Sequence, residues 1–292
     1  MKISRILGLL GSLSLISLCG GEEFRISVSD LMADSLEKHL TELAGQNSFG
    51  ITFTQEGSLP ALERLASDES DIVVIAIPDG HAMPDATRYA VYPLAYLIAA
   101  IVVNDDNPLE EVTISQLGGI FGSNEILDYK TWGELGLSGW TGRSIKVIAA
   151  QADNSISNEI FKYTALKSKS FKSAVNLVDI TSAEKAIASD VSCIGLLSRK
   201  GDASQTKTLM ISSDESLPAY GPSVDNVHYG DYPLRLPFYV VFEIANKKRI
   251  KPILSYLLSE NCSKLLGESG FYVLPETVRG QFSFELNMTR SE

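Results

Sequence analysis

Hydroxyl and carboxylate side chains recur where predicted strands give way to predicted helices. Ser29 and Asp30 stand at the first such junction, Ser58 stands at the second, and a third junction reads Asp-Asn-Ser-Ile-Ser over 153–157. In open α/β sheets these junctions lie at the carboxyl ends of strands, where ligands bind. Backbone N–H groups and the helix dipole there favour a small oxyanion. The candidate ligand contacts are Ser29, Asp30, Ser58, Asp153, Ser155 and Ser157.

The same residue types have a second explanation. Ser, Asp and Asn are preferred N-caps, and each stabilises its helix by about 1 kcal/mol. At any single junction capping is a sufficient explanation, whereas three junctions around one cleft also fit a binding site. Both interpretations are open at this point.

Motifs for catalysis, for metal binding and for nucleotide binding are missing. The chain has no HExxH, GxSxG or CxxC motif, and no GxGxxG follows a predicted strand. Its three histidines are scattered at positions 39, 81 and 228, which argues against a histidine-built metal site. Segment 136–144 resembles a phosphate loop, but its spacing is one residue too long and Arg143 stands where lysine is required. We therefore predict no enzymatic activity, no cofactor and no metal.

Length and composition narrow the class of protein. The chain has 292 residues, of which 45% are hydrophobic and 21% charged. This is ordinary globular composition, which excludes a collagen-like chain, wholesale disorder and a polytopic membrane protein. The length suits one large domain or two medium domains. The net charge of −11 makes nucleic acid a poor partner.

The first 19 residues have the pattern of a secretory signal. Lys2 and Arg5 precede a short apolar run over 6–18, and Cys19 follows. The run is too short to span a bilayer comfortably. Cys19 stands where a bacterial lipoprotein carries its lipidated cysteine, and ordinary cleavage after Cys19 or Gly20 is the alternative. We expect an exported, periplasmic protein, with or without a lipid anchor.

Export has consequences for charge and for the cysteines. Removing residues 1–19 takes away two positive charges and no negative one, so the net charge falls from −11 to −13. Cys193 and Cys262 then remain. A disulfide would be permitted in that compartment, but we expect two buried free thiols.

Strand and helix patterns alternate along the chain, which predicts an α/β fold. Two long apolar stretches, 89–104 and 234–244, are each suited to cross between two domains as a strand. Two helices, at about 248–258 and 261–267, are expected to finish the fold. We predict two lobes, each a mostly parallel sheet flanked by helices, joined by two crossover strands. The predicted boundaries are 20–95 with 236–292 for lobe 1 and 96–235 for lobe 2.

A series of segments keeps a characteristic order and spacing. The segments are YPLAY at 92–96, AIVVNDDNPL at 100–109, TISQL at 113–117, IFG at 120–122, WGELG at 132–136, SVDN at 223–226, GDYPLRLPFY at 230–239 and GFYVLP at 270–275. Together they resemble the substrate-binding proteins of bacterial phosphate ABC transporters, within the type 2 periplasmic binding protein fold. The resemblance covers nearly the whole mature chain and implies two lobes that close around a ligand.

The resemblance carries over to the binding loops only in part. The middle-lobe loop of that family reads Asp-Gly-Ser-Gly-Thr. Here Asp153, Ser155 and Ser157 hold the Asp, Ser and Thr places, while Asn154 and Ile156 replace the two glycines. Phosphate is implied as the ligand, and the hydroxyls at these places are implied as contacts.

Cationic residues expected from the resemblance are not found. Gln151 and Asn158 stand at positions that can carry Arg, and the loop after the third strand reads Ala-Ile-Pro at 76–78, where the family usually offers Ser with Arg or Asp. A buried phosphate dianion needs a countercharge, which Arg supplies with bidentate geometry. No Arg or Lys is apparent among the candidate contacts.

Two functional hypotheses follow. The first is an exported solute-binding protein that captures a small oxyanion, with phosphate favoured, for an ABC permease in the inner membrane. The second is a binding-protein-like module with a degenerate site and a structural or signalling role. Loss of the glycines and of the arginine favours the second, while the resemblance over the chain favours the first.

Overall fold

The structure is a computed structural model that describes residues 22–123, 126–151 and 156–288. The predicted signal over 1–19 with Cys19, and two candidate contacts, Asp153 and Ser155, lie outside the described residues. The N-terminal part contains β1 (Glu23–Ser29), α1 (Asp30–Asn47), β2 (Gly50–Glu56), α2 (Ser58–Ala66), β3 (Ile72–Ala76) and β4 (Tyr89–Ile98).

The middle and the C-terminal part supply the other elements. The middle contains β5 (Ala100–Asn104), β6 (Glu111–Thr113), α3 (Ile114–Phe121), β7 (Lys146–Ala150), α4 (Ser157–Ala165), β8 (Asn176–Val178), α5 (Ile180–Ser189), β9 (Cys193–Leu197), β10 (Thr206–Thr208), β11 (Met210–Ser212) and α6 (Val224–Tyr229). The C-terminal part contains β12 (Arg235–Glu243), α7 (Lys251–Leu257), α8 (Glu260–Glu268), β13 (Tyr272–Val273) and α9 (Glu276–Asn287).

The first sheet has the strand order β13-β4-β12-β3-β1-β2. Apolar residues on one face of β1 and β3 pack with α1, whose Leu36 and Leu40 are fully buried. On the opposite face, Val73 and Ile75 of β3 pack against Leu65 of α2. The core of this lobe therefore lies on both faces of the sheet. Each fully buried leucine in it stabilises the fold by about 1.5–3 kcal/mol.

The second sheet has the order β10-β5-β9-β7-β8, and β11 pairs with β6 in a separate two-stranded sheet. All residues of β5 and β9 are buried. A Cβ on Gly195 of β9 would lie 2.1 Å from the Cδ1 atom of Ile187. Glycine is therefore required at this point for α5 to approach the sheet.

The chain passes from one sheet to the other at Ala99, the residue between β4 and β5. The amide of Ala99 donates to the carbonyl of Leu234 at 2.9 Å, immediately before the chain returns in β12. The hydroxyl of Tyr232 donates to the carbonyl of Ala99 at 2.8 Å. The two crossover segments thus lie side by side, and the predicted two-lobed α/β architecture is present.

Two predictions about the fold need correction. The sheets are mixed rather than mostly parallel: β1 runs parallel to β2 and β3, whereas β12 runs antiparallel to β3 and β4. A strand that returns from the other lobe enters from the opposite end of the sheet, which reverses its direction. The chain also does not finish with α8, because β13 and α9 follow it.

Cys193 and Cys262 are buried free thiols, as expected. Burial raises the pKa of the Cys193 thiol, and it raises that of the Cys262 thiol to about 12. A thiol must ionise to react. Both cysteines are therefore part of the packed interior rather than reactive groups.

Candidate ligand cleft between the lobes

Ser29 and Asp30 lie where β1 ends and α1 begins. Ser29 is 1% exposed, and its Oγ atom lies 3.3 Å from Oδ1 of Asp30. Asp30 is the first residue of α1, not its cap as its sequence position suggested, and Ser29 occupies the N-cap position without a side-chain capping bond. The Asp30 carboxylate accepts instead from the amide of its neighbour Leu31.

Ser58 lies at the same edge of the first sheet. In the pairing of β1 with β2, Ser29 lies opposite Glu56, so Ser58 follows two residues beyond that point. Ser58 is the first residue of α2, whose N-cap is Gly57. Its Oγ atom accepts from the amide of Ala76 at 3.0 Å, where β3 ends. The carboxyl ends of three strands are thereby brought together.

The described part of the third junction begins at Ile156, the N-cap of α4. Ser157 is the first residue of that helix and is 1% exposed. The side-chain carbonyl of Asn158 is buried and has no hydrogen-bond partner among the described residues. An orphaned buried acceptor costs about 1–3 kcal/mol, so a hydrogen-bond donor at this helix start would be stabilising.

True side-chain caps are found at other helices. Thr113, Asp179, Ser223 and Ser259 each accept from a backbone amide in the first turn of α3, α5, α6 and α8. Ser29 and Ser58, by contrast, make no such bond to α1 or α2. The capping interpretation therefore does not account for these two serines.

A cavity of about 310 Å³ lies between the lobes, and its lining is mainly apolar. It is lined by Pro78 after β3, by residues of α4 and the segments next to it, and by the start of β12. The lining residues are Pro78, Ile156, Glu159, Ile160, Lys162, Tyr163, Thr164, Ser168, Arg235 and Leu236. Ile156 directly precedes Ser157, but none of the described candidate contacts (Ser29, Asp30, Ser58 and Ser157) lines this cavity itself.

Arg235 is the cation that lines this cavity from the crossover strand. Its Nε and Nη2 atoms donate to the Asp79 carboxylate at 2.8 and 3.0 Å, and its Nη1 atom donates to the carbonyls of Val227 and His228 in α6. The Arg235 side chain is 12% exposed and that of Asp79 is 51% exposed. The guanidinium thus joins a loop of one lobe to a helix of the other, with its charge neutralised.

The close approach of the Arg235 side chain also explains why position 230 is a glycine. Gly230 ends α6 with a φ of 87°, a left-handed conformation that favours glycine. A Cβ at Gly230 would lie 3.0 Å from the Nη2 atom of Arg235. Glycine therefore serves both the end of this helix and the docking of the guanidinium against it.

Further contacts between the lobes surround this ion pair. The hydroxyl of Tyr163 in α4 donates to the carbonyl of Asp79 at 3.3 Å and lies 3.1 Å from Nδ1 of His81. The rings of Tyr163 and His81 have centroids 5.6 Å apart. The face of α4 therefore contacts the loop after β3, beside the cavity.

Tyr96 and His228 form a hydrogen bond at the crossover. The Tyr96 hydroxyl and Nδ1 of His228 are 2.8 Å apart. Burial raises the pKa of Tyr96, while burial and the nearby charge of Arg235 lower the pKa of His228. A neutral imidazole that accepts at Nδ1 from the tyrosine fits both shifts.

Asp79 and Arg235 were not found by the sequence analysis, although signals for both were present. Arg235 is the one charged residue between Tyr232 and Phe242, and Asp79 directly follows the loop examined at 76–78. Their partnership could not be read from the chain, because 156 positions separate them. The predicted cleft therefore does contain an arginine at its edge, but one already paired with a carboxylate.

The described residues contain neither a metal-binding cluster nor a membrane-spanning helix. Among residues 22–123, 126–151 and 156–288, no group of three or more His, Cys, Asp or Glu side chains is placed to hold a metal ion. Over the same ranges, no helix combines the length and the apolar character needed to cross a bilayer.

Comparison with known proteins identifies relatives in sequence. A family model described as "PBP superfamily domain" matches residues 17–261. The "Phosphate-binding protein PstS" of Pseudomonas aeruginosa is 27% identical over 208 residues, which cover 67% of this chain and 64% of that protein. The "Protein SphX" of Synechococcus elongatus is 24% identical over 265 residues, which cover 85% and 74%. This chain thus spans slightly less than two thirds of the Pseudomonas relative.

Solved structures share the fold. A possible phosphate binding protein from Planctomyces limnophilus has a TM-score of 0.68 at 18% identity, covering 91% of this chain and 98% of that one. PstS from Borrelia burgdorferi has a TM-score of 0.69 at 13% identity, with coverages of 87% and 99%. An ABC-type phosphate transport receptor from Vibrio cholerae has a TM-score of 0.60 at 20% identity, with coverages of 87% and 100%.

Three of these proteins, from Pseudomonas, Planctomyces and Vibrio, are described as phosphate-binding proteins or as a phosphate transport receptor. The family match extends over most of the sequence and includes strands of both sheets. The type 2 periplasmic binding protein architecture that the family resemblance implied is confirmed by the shared fold. This chain belongs to the PBP superfamily.

Proposed function

We propose that this chain is an exported solute-binding protein that captures a small oxyanion between its lobes, with phosphate the first candidate, and delivers it to an ABC permease. The observation that carries the proposal is the placement of Ser29, Ser58 and Ser157. Each lies at the start of a helix that follows a strand, and neither Ser29 nor Ser58 serves as a side-chain cap. Hydroxyls and helix amides at such points suit an oxyanion.

Phosphate is the first candidate among the small oxyanions because similar proteins are named for it. The Pseudomonas protein is called a phosphate-binding protein, and the Vibrio structure is called a phosphate transport receptor. This similarity disfavours the alternative, a module with a degenerate site and a structural or signalling role. Asp30, Asp153 and Ser155 remain proposed contacts of the same site.

Charge balance sets the expected strength of binding. The pair of Asp79 with Arg235 is neutral, and the other cation that lines the cavity, Lys162, is paired with Glu159 at 2.8 Å. Affinity would therefore rest on hydroxyls and backbone amides, with Arg235 contributing fully only when Asp79 releases it. We infer moderate affinity rather than the tight binding that an unpaired arginine would support.

The remaining features of the proposal concern processing and domain boundaries. We propose that residues 1–19 form a removed signal, with Cys19 as the lipid attachment point if the chain is processed as a lipoprotein. We also propose lobe boundaries of 20–95 with 236–292 and of 96–235. The sheet change at Ala99 and the start of β12 at Arg235 lie close to these limits.

Calorimetric titration with phosphate tests the proposal. The chain from Gly20 onward, dialysed thoroughly, should bind phosphate with micromolar affinity. Replacing Ser58 and Ser157 together by alanine should weaken binding by at least about tenfold per hydroxyl, because each hydrogen bond to a charged group contributes about 1.5–3 kcal/mol. Sulfate provides the comparison ligand.

Ser259→Ala is the matched control, since Ser259 caps α8 through the amide of Cys262. It should lower the free energy of unfolding by about 1 kcal/mol and leave phosphate binding unchanged. Absence of heat at millimolar phosphate would remove phosphate as the ligand. Equal weakening in the control would place the ligand away from these serines.

A further inference from the structure

A short basic segment interrupts an otherwise acidic chain. Lys247, Lys248, Arg249 and Lys251 place four cations in five positions, although the net charge of the whole chain is −11. The segment joins a short 3-10 turn, Ile244–Asn246, to α7. These cations lie outside the strands of the first sheet and do not line the cavity between the lobes, so neither location explains their number.

Three of these four cations line a groove of about 730 Å³ on the surface of lobe 1. The groove is lined by Glu22, Ala245, Lys248, Arg249, Lys251, Pro252 and Ser255. Its three cations outnumber its single carboxylate. Within the described residues, Lys248 and Lys251 form no ion pair or hydrogen bond, so both ammonium groups are available to an anion.

Arg249 contacts the first described residues of the chain and so places the groove next to them. Its guanidinium binds the buried Asp71 carboxylate, and its Nη1 atom lies 3.7 Å from Oε1 of Glu22 and 3.4 Å from the carbonyl of Glu23. Two residues separate Glu22 from Cys19, so the two Cα atoms are at most about 11 Å apart. A lipid on Cys19 would therefore hold this groove close to the membrane surface.

Exposed apolar side chains lie beside the cations. Ile244 is 47% exposed, and Phe284 and Met288 at the end of α9 are 62% and 64% exposed. The Nζ atom of Lys247 lies 3.4 Å from the carbonyl of Glu285, which places the end of α9 next to the basic segment. Cations together with exposed apolar side chains are the composition of surfaces that bind to a membrane interface.

We propose that the groove around Lys248, Arg249 and Lys251 binds anionic phospholipid headgroups and docks this end of lobe 1 on the membrane. A basic patch near an anionic surface attracts it electrostatically, and this attraction would add to any attachment by a lipid on Cys19. The groove lies at the amino ends of β1 and β3, whereas the candidate cleft lies at their carboxyl ends. Docking therefore leaves the cleft free to take up its ligand.

Vesicle sedimentation tests this proposal without a lipid anchor. The chain from Gly20 onward, which contains every described residue, is mixed with vesicles of phosphatidylcholine alone or with added phosphatidylglycerol. We expect sedimentation with the anionic vesicles only, weakening as salt is added. A chain of net charge −13 is repelled by such vesicles overall, so binding has to come from a local patch.

Replacing Lys248 and Lys251 by glutamine should weaken partitioning roughly 30-fold, since each lysine near an anionic surface contributes about 1 kcal/mol. Lys130→Gln with Lys146→Gln is the matched control, because both lysines are exposed on lobe 2 and the change in net charge is the same. The control should sediment like the unchanged chain.

Three outcomes would overturn the proposal. One is equal sedimentation with neutral and anionic vesicles, and another is equal weakening in the two lysine variants. The third is loss of calorimetric heat with free phosphate in the Lys248 and Lys251 variant, which would assign the groove to the free ion. Vesicle binding is independent of whether the cleft binds phosphate, so the two proposals can fail separately.

Discussion

Two aspartate–arginine clusters lie at opposite ends of the first sheet and differ in burial. Asp71, just before β3, is 4% exposed and binds the guanidinium groups of Arg25 and Arg249. Asp79, shortly after β3, is 51% exposed and binds Arg235 alone. The chemistry is the same in both clusters, but the surroundings and the partners are not.

The two clusters differ in whether the arginines that bind the aspartate contact one lobe or both lobes. Burial alone would raise the pKa of Asp71, but hydrogen bonds from Arg25 and the charge of Arg249 outweigh it, and the pKa is lowered. All three residues belong to lobe 1, so this cluster stabilises one lobe. Arg235 instead connects Asp79 to carbonyls of α6, which belongs to the other lobe. We infer that the pair between the lobes, whose carboxylate is 51% exposed, is the one that a ligand could replace, and the predictions below test this.

The largest expected effect is on stability, from Asp71→Asn. Loss of the carboxylate leaves two arginines facing each other around a buried position, which should lower the free energy of unfolding by about 3 kcal/mol. Asp79→Asn is the comparison and should cost less, about 1–2 kcal/mol, because it removes an exposed carboxylate while Arg235, 12% exposed, keeps its bonds to the carbonyls of Val227 and His228. Urea unfolding of both variants measures the difference. Similar losses would remove the distinction between the clusters.

An intermediate effect is expected on ligand affinity. Asp79→Asn should strengthen phosphate binding about five-fold, because Arg235 then keeps its full charge at the cavity. Arg235→Gln should weaken it. Calorimetric titration of the two variants at neutral pH provides the measurement. If both variants weaken binding equally, the ion pair only holds the two lobes together and Arg235 does not contact the ligand.

The smallest expected effect is a pH dependence at the crossover. The pKa of His228 in the folded chain is lowered from its usual 6.5 by burial and by Arg235. The unfolded chain therefore takes up this proton first as pH falls, so the contribution of His228 is complete above about pH 6.5 and is lost as pH falls through the lowered pKa. His228→Asn should reduce the loss of stability between neutral and mildly acidic pH. An unchanged pH profile in thermal unfolding would show that other groups dominate.

Much of the architecture follows from local patterns. The alternation of strands and helices and the stretch over 89–104 that crosses between lobes were all predicted. Strand direction was not, because it depends on which strands meet after folding. The final helix α9 was also missed, because it contains Gly280 and its apolar residues form no clear helical stripe, and Phe282 stacks on Tyr92 only after folding.

The candidate site also has parts that were predicted from the sequence and parts that only the structure reveals. Ser29, Ser58 and Ser157 were predicted from their places after strands, and the structure locates each at the start of a helix. Whether they contact a ligand stays a prediction. The pairing of Asp79 with Arg235 and the apolar lining by Pro78 and Ile156 required coordinates.

The sequence by itself determined the class of fold and the junction serines, since each depends on residues within a few positions of one another. The cluster of cations over 247–251 was overlooked, although it is also local. Only the tertiary structure decided which charges are paired, buried or free. Asp71, Arg235 and Lys248 are all ordinary charged residues in the chain, and their roles differ because electrostatic energy depends on distance and burial. Both quantities are set by contacts between distant parts of the chain.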